Sequence, residues 1–128
     1  MILLDTCALL WLATDHALLS EEARRLIRRH AGALFVSTIS AFEIGTKHRK
    51  GKLTLSRAPS EWFPLALEVH GIEPIAIDAD IALRSTDLPM LHADPCDRLI
   101  VATAQSRNLT VLTTDPLIRN YPDTRTAW

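Results

Sequence analysis

Short, mostly apolar runs alternate with longer stretches of helical periodicity along this chain of 128 residues, and that alternation leaves few folds open. Residues 2–4 form the first run, ending at Asp5-Thr6; residues 34–36, 72–77 and 110–113 form three more, and residues 125–128 a short fifth. Runs of this length and composition suit strands buried on both faces, and strands separated by helices pair in parallel. The expected architecture is α/β: an α/β/α sandwich with a central parallel sheet.

The helices carry their own punctuation. Leu9, Leu10 and Leu12 begin one. Ser20 caps the next, with Glu21 and Glu22 in its first turn; Ala23, Leu26 and Ile27 make its apolar face, and Arg24, Arg25, Arg28 and Arg29 a solvated one. Ser37, Thr38 and Ser40 compete to cap a helix that runs to Lys50 and is closed by Gly51. Ser60 caps a helix over 61–70, where Pro64 is near enough to the first turn to be tolerated and Gly71 is the stop. Pro74 argues for an edge strand. Asp78 caps a helix to Asp87, and Asp94 with Pro95 opens another that runs to about Arg107 and ends at Asn108.

Length suits one domain over 1–128, with no linker, repeat or low-complexity tract. A net charge of −1 provides no bulk attraction to nucleic acid, so any such binding must come from local patches. Cys7 and Cys96 lack metal-finger spacing and outline no disulfide framework, which points to the cytoplasm. No basic leader precedes the first strand, and the longest apolar run, residues 8–13, is too short for a bilayer, so no membrane partner is expected.

Four acids stand where a strand gives way to a helix or at the start of a helix: Asp5, Glu43, Asp97 and Asp115. In a parallel sheet such positions converge beyond the carboxyl ends of the strands. Carboxylates crowded there repel one another and stay ionised only around a divalent cation, an oxygen-only arrangement suited to phosphate-ester chemistry. Each acid also has an ordinary reading. Glu43 follows Ser40 at capping-box spacing, Asp97 lies in the first turn of a helix capped by Asp94, Asp115 precedes Pro116 as an N-cap would, and Asp5 could be a turn residue.

Four blocks in order, Met1-Ile-Leu-Leu-Asp5-Thr, Ser37-Thr-Ile-Ser-Ala-Phe-Glu43-Ile-Gly-Thr-Lys47, His92-Ala-Asp94-Pro-Cys-Asp97-Arg-Leu-Ile-Val-Ala-Thr-Ala104 and Leu112-Thr-Thr-Asp115, span essentially the whole chain. They resemble the PIN-domain ribonucleases, and within them the VapC-type toxins of toxin–antitoxin pairs. The resemblance implies strand order 3-2-1-4-5, a Mg²⁺ or Mn²⁺ site, endonucleolytic hydrolysis of RNA by a metal-activated water, a homodimer, and control by a cognate antitoxin. Asp5 and Asp97 would be the main metal ligands, Glu43 a ligand directly or through water, and Asp115 the fourth acid. Thr6 and Thr114 would orient a carboxylate or water, with Asp94 behind the ligands or simply a cap.

Lys47, Arg49, Lys50 and Lys52 follow Glu43 and either contact RNA phosphates or complement a helix dipole. Arg98 either orients the site or pairs with Asp94. His92 could touch phosphate or metal, although a structural role suffices, and Cys7 and Cys96 read as small buried residues. Trp11, Trp62 and Phe63 belong either to the core or to an apolar groove for the antitoxin. A dehalogenase-type phosphatase would want an acid where Cys7 stands, and a receiver-type module a lysine after Thr113-Thr114-Asp115-Pro116. A catalytically inactive or housekeeping PIN-like RNA-binding module is the remaining alternative.

Overall fold

The computed structural model describes residues 1–128. In chain order the elements are β1 (Ile2–Leu4), α1 (Thr6–Ala13), α2 (Glu21–Arg29), β2 (Leu34–Ser37), α3 (Ile39–Arg49), α4 (Pro59–His70), β3 (Ile72–Ile75), α5 (Ala79–Asp87), α6 (Pro95–Arg107), β4 (Thr110–Leu112), α7 (Pro116–Arg119) and β5 (Arg125–Ala127). The five strands form one parallel sheet of order β3-β2-β1-β4-β5, with Ile2 opposite both Leu34 and Thr110. β3 is an edge strand, where Pro74 leaves no ladder position in need of its missing N–H.

The pleat divides the core. Ile2, Leu4, Val36 and Leu112 face α1, α2 and α4, packing on Ala8, Leu9, Ala23, Trp62 and Leu67. Leu3 and Val111 point the other way, onto Ile81 of α5, Ile100, Val101 and Ala104 of α6, and Ile118 of α7. Successive side chains alternate between the two faces of a strand, so β1 must be apolar throughout to serve both layers.

Several boundaries differ from the sequence expectation. α1 starts at Thr6 rather than near Leu9, because Asp5 caps it by accepting from the Ala8 N–H at 2.8 Å. Of the three competing caps, Thr38 holds the N-cap position of α3 without a capping hydrogen bond from its side chain, Ser37 Oγ accepts from the Ile39 N–H at 3.2 Å, and Ser40 lies inside the helix. α4 begins at Pro59 after Ala58, so Ser60 is not its cap, and Pro64 lies within the helix on its exposed face. β3 stops at Ile75 and β4 at Leu112, and a short helix, α7, follows β4. Asp78 and Asp94 do cap α5 and α6, while Gly71 and Asn108 end their helices at φ 63 and 55. No helix is long and apolar enough to cross a membrane.

Candidate functional site

β1 lies at the centre of the sheet; the chain winds outward from it to β2 and β3, then returns to lay β4 on its other side. This reversal opens a crevice beyond the carboxyl ends of β1 and β4. A cavity of about 170 Å³ there is lined by Asp5, Thr6, Cys7, Glu43, Lys47, Asp94, Asp97, Thr114 and Asp115. Two larger hollows, about 470 and 570 Å³, lie elsewhere, one beside Pro74 and Ile75 and one beside Arg84 and Pro122. Neither gathers the chemistry-bearing residues of the four sequence blocks.

Three of the acids cap helices while lining this cavity. Asp5 Oδ1 takes the Ala8 N–H of α1, Asp94 Oδ1 the Cys96 N–H of α6, and Asp115 Oδ1 the Leu117 N–H of α7, each at 2.8 Å. One carboxylate oxygen therefore anchors the backbone and leaves the other for the cavity. The cap and site readings of these residues are compatible. The capping box suggested for Glu43 does not form: Glu43 Oε1 accepts from the Thr6 hydroxyl at 2.7 Å, and Thr6 shares a 2.8 Å hydrogen bond with Ser40. A buried hydroxyl pair thus fixes the carboxylate of α3 against the start of α1.

Donor atoms of Glu43, Asp94 and Asp97 lie within 4.8 Å of one another, as do those of His92, Asp97 and Asp115. Asp97 belongs to both groups. His92 Nδ1 accepts from the Asp94 N–H at 3.1 Å, which leaves the ring proton on Nε2, 2.9 Å from oxygens of both Asp97 and Asp115. His92 is thus a clamp between the acids of α6 and α7. This role goes beyond the structural one that suffices for His92 in the sequence, where its signal is its place in the same block as Asp97.

Burial is the largest influence on the two inner carboxyls. It raises Asp5 to about 6, with Glu43 and Asp115 adding to the rise and the Thr113 hydroxyl and Ala8 N–H opposing it. Asp97 rises to about 7, again chiefly by burial, then by Glu43 and Asp94, while His92 works in the opposite direction. Both sit far above the usual aspartate value of 3.8. A compact set of oxygen donors whose ionisation a nearby cation would favour fits a hard divalent ion.

Other expectations need correction. Arg98 neither reaches the site nor pairs with Asp94; it is buried, donating to the carbonyls of Ser85, Leu88 and Pro89 and to the Tyr121 hydroxyl. The Tyr121 hydroxyl in turn accepts from the His92 N–H at 2.9 Å, so Arg98 braces the segment that carries the histidine. Cys7 is exposed rather than buried. Burial and the adjoining carboxylates push the Cys96 thiol up to about 11, and partial desolvation by the neighbouring chain with the Asp5 carboxylate raises that of Cys7, so neither offers a thiolate. Thr114 lines the cavity, but the hydroxyl held among the acids is that of buried Thr113, which accepts from the Asp115 N–H; reading residue 113 as strand interior concealed it. Trp62 is buried in the core, Phe63 packs against it, and Trp11 meets Trp128 edge to face at 5.5 Å. Lys47, Lys50 and Lys52 line a second cavity beside Glu43, whereas Arg49 is exposed outside it.

A parallel sheet with an acid-lined crevice at its switch point defines a PIN-like α/β/α domain. Residues 2–123 match the PIN domain family, and the chain belongs to it. It is similar to Ribonuclease VapC22 of Mycobacterium tuberculosis, with 30% identity covering 99% of this chain and 98% of that protein. The fold is shared with VapBC2 from Rickettsia felis bound to a promoter DNA fragment (TM-score 0.72, 17% identity, 99% of this chain and 98% of that one). A toxin–antitoxin complex from Klebsiella pneumoniae also shares it (TM-score 0.69, 22% identity, 100% and 97%).

Proposed function

We propose that this PIN-domain protein is a Mg²⁺- or Mn²⁺-dependent endoribonuclease and the toxin of a toxin–antitoxin pair. The observation that carries the reading is the convergence of Asp5, Glu43, Asp97 and Asp115 on one crevice at the switch point of the sheet. The full-length similarity to a VapC ribonuclease supports the activity, and the fold shared with VapBC complexes supports an antitoxin partner.

Asp5, Glu43 and Asp97 would hold the cation, with Asp115 the fourth acid and Asp94 close enough to join them. A bound divalent ion supplies Lewis acidity toward the phosphodiester oxygens and the attacking water. The chain's part is positioning. Thr6 and Ser40 fix the Glu43 carboxylate, His92 holds Asp97 and Asp115 at a set separation, and the Asp5 and Asp94 caps keep their outer oxygens facing the crevice. Because water rather than the ribose 2′-hydroxyl attacks, the products carry 5′-phosphate and 3′-hydroxyl ends.

Trp62 is buried in the core and Trp11 packs against Trp128, so those rings leave little surface for the antitoxin groove considered from the sequence. A shallow hollow of about 170 Å³ remains beside α4, where Leu65 and Val69 are exposed. An amphipathic antitoxin segment would cover that strip, and the toxin itself would act as a homodimer.

Incubation with single-stranded RNA tests the activity. Cleavage is expected with Mg²⁺ or Mn²⁺, none in EDTA, and a loss of at least a hundredfold in Asp5→Asn and Asp97→Asn. Full activity in EDTA refutes the metal-dependent reading, and an inert wild-type chain favours the catalytically inactive alternative.

A further inference from the structure

The chain contains only three lysines, Lys47, Lys50 and Lys52, and all three line one cavity of about 230 Å³. Phe42, Glu43, Thr46 and Cys96 complete the lining. Glu43 and Lys47 also line the acid crevice, so the two hollows adjoin and form one groove running from carboxylates to ammonium groups. A helix-dipole role accounts for Lys47 in the last turn of α3 but not for Lys52. Lys52 lies beyond the helix, and its N–H turns back onto the Lys47 carbonyl at 2.9 Å, which returns its side chain to the same hollow. None of the three lysines engages a carboxylate in the ion pairs of the structure.

At the mouth of this groove Phe42 is 62% exposed, one residue before Glu43. A large aromatic ring left in water beside unpaired cations matches the combination by which proteins hold single strands: ammonium groups track phosphates and a ring stacks on a base. A stacked duplex has no free base face to offer.

We infer that Phe42, Lys47, Lys50 and Lys52 form a nucleotide subsite beside the acids, where a base of single-stranded RNA stacks on Phe42 while the lysines hold the flanking phosphates. The inference rests on the nuclease reading and assigns the residues that hold the strand beside the acids. Phe42 is a binding residue outside the acid constellation, and its exposure lets it be changed without disturbing the core.

The test is fluorescence anisotropy with a labelled single-stranded oligouridylate of about eight nucleotides, in EDTA to prevent hydrolysis, over a series of salt concentrations. Phe42→Ala is expected to weaken binding roughly tenfold with an unchanged melting temperature, and Phe42→Trp to restore it. Lys50→Gln and Lys52→Gln should each reduce the salt slope by about 0.7. A duplex of the same length should bind equally to wild type and Phe42→Ala.

Absence of wild-type binding, or equal affinity in wild type and Phe42→Ala, overturns the subsite. So does a Phe42→Ala chain that sediments as a smaller species with RNA affinity intact, since the face would then belong to a second copy. Cleavage measured separately with Mg²⁺ keeps the two readings apart. RNA cut normally by Phe42→Ala ends the subsite and leaves the nuclease standing, whereas no cleavage by wild type removes the nuclease itself.

Discussion

At the residue scale, crowding of acids against a buried floor couples their ionisation to folding. Asp5 and Asp97 keep their protons up to about 6 and about 7 in the folded metal-free chain, while in the unfolded chain they release them near 3.8. Between those values the folded state binds more protons, so stability falls as pH rises from about 4 to about 7. For Asp5, almost fully buried, the difference is worth about 3 kcal/mol. Calorimetry in EDTA is expected to give a lower melting temperature at pH 8 than at pH 5, and Asp97→Asn is expected to flatten that trend. A melting temperature that climbs over the same interval would contradict the crowding. His92 admits a finer test, since its two ring nitrogens do different work. Gln can present a donor near the Nε2 position but lacks the Nδ1 acceptor, whereas Asn keeps the acceptor and loses the donor. Mn²⁺ titration followed by electron paramagnetic resonance is expected to show near-normal affinity in His92→Gln and roughly tenfold weaker binding in His92→Asn.

At the scale of elements, the site depends on how helices are capped and braced. α1 and α6 begin with carboxylates that serve both backbone and crevice, so a single substitution there touches fold and function together. The brace behind α6 is separable. Arg98 satisfies carbonyls across the turn from Ser85 to Pro89, and Arg98→Met would leave those acceptors without partners in a buried setting. Chemical denaturation is expected to show a loss of about 3 kcal/mol, with Asp97 still in place. On the other face of the sheet, Trp62 packs with Leu67 and Ala66 of α4 against the first core cluster. Trp62→Ala is expected to cost about 3 kcal/mol by opening a cavity, and an unchanged midpoint would place the ring outside the core.

At the scale of the molecule, binding of a cation at the crevice would be linked to folding. The folded chain gathers the oxygen donors into one crevice, whereas the unfolded chain holds them far apart in sequence, so a cation that binds the native state raises the melting temperature. Protons compete for the same oxygens. The rise produced by a fixed Mn²⁺ concentration is therefore expected to be larger at pH 8 than at pH 5, as differential scanning fluorimetry would read. An equal rise at both pH values would mean that the ion binds elsewhere.

The alternation of apolar runs with capped helices was enough to define a parallel α/β/α sheet, because strands buried on both faces and helices with one wet face record their surroundings in composition. Pro74 marked its own edge, since a missing donor is tolerated only there. The four acids were visible as residues at the right ends of the right elements. Their separations were not, and neither was the choice between cap and crevice, which the structure answers by letting Asp5, Asp94 and Asp115 do both with different oxygens. His92, Thr113, Arg98 and Phe42 gained their meaning only on folding. Each depends on what lies across the chain from it, Asp115 for His92 and Tyr121 for Arg98, and periodicity along a sequence records burial but not the partner that meets a side chain through space.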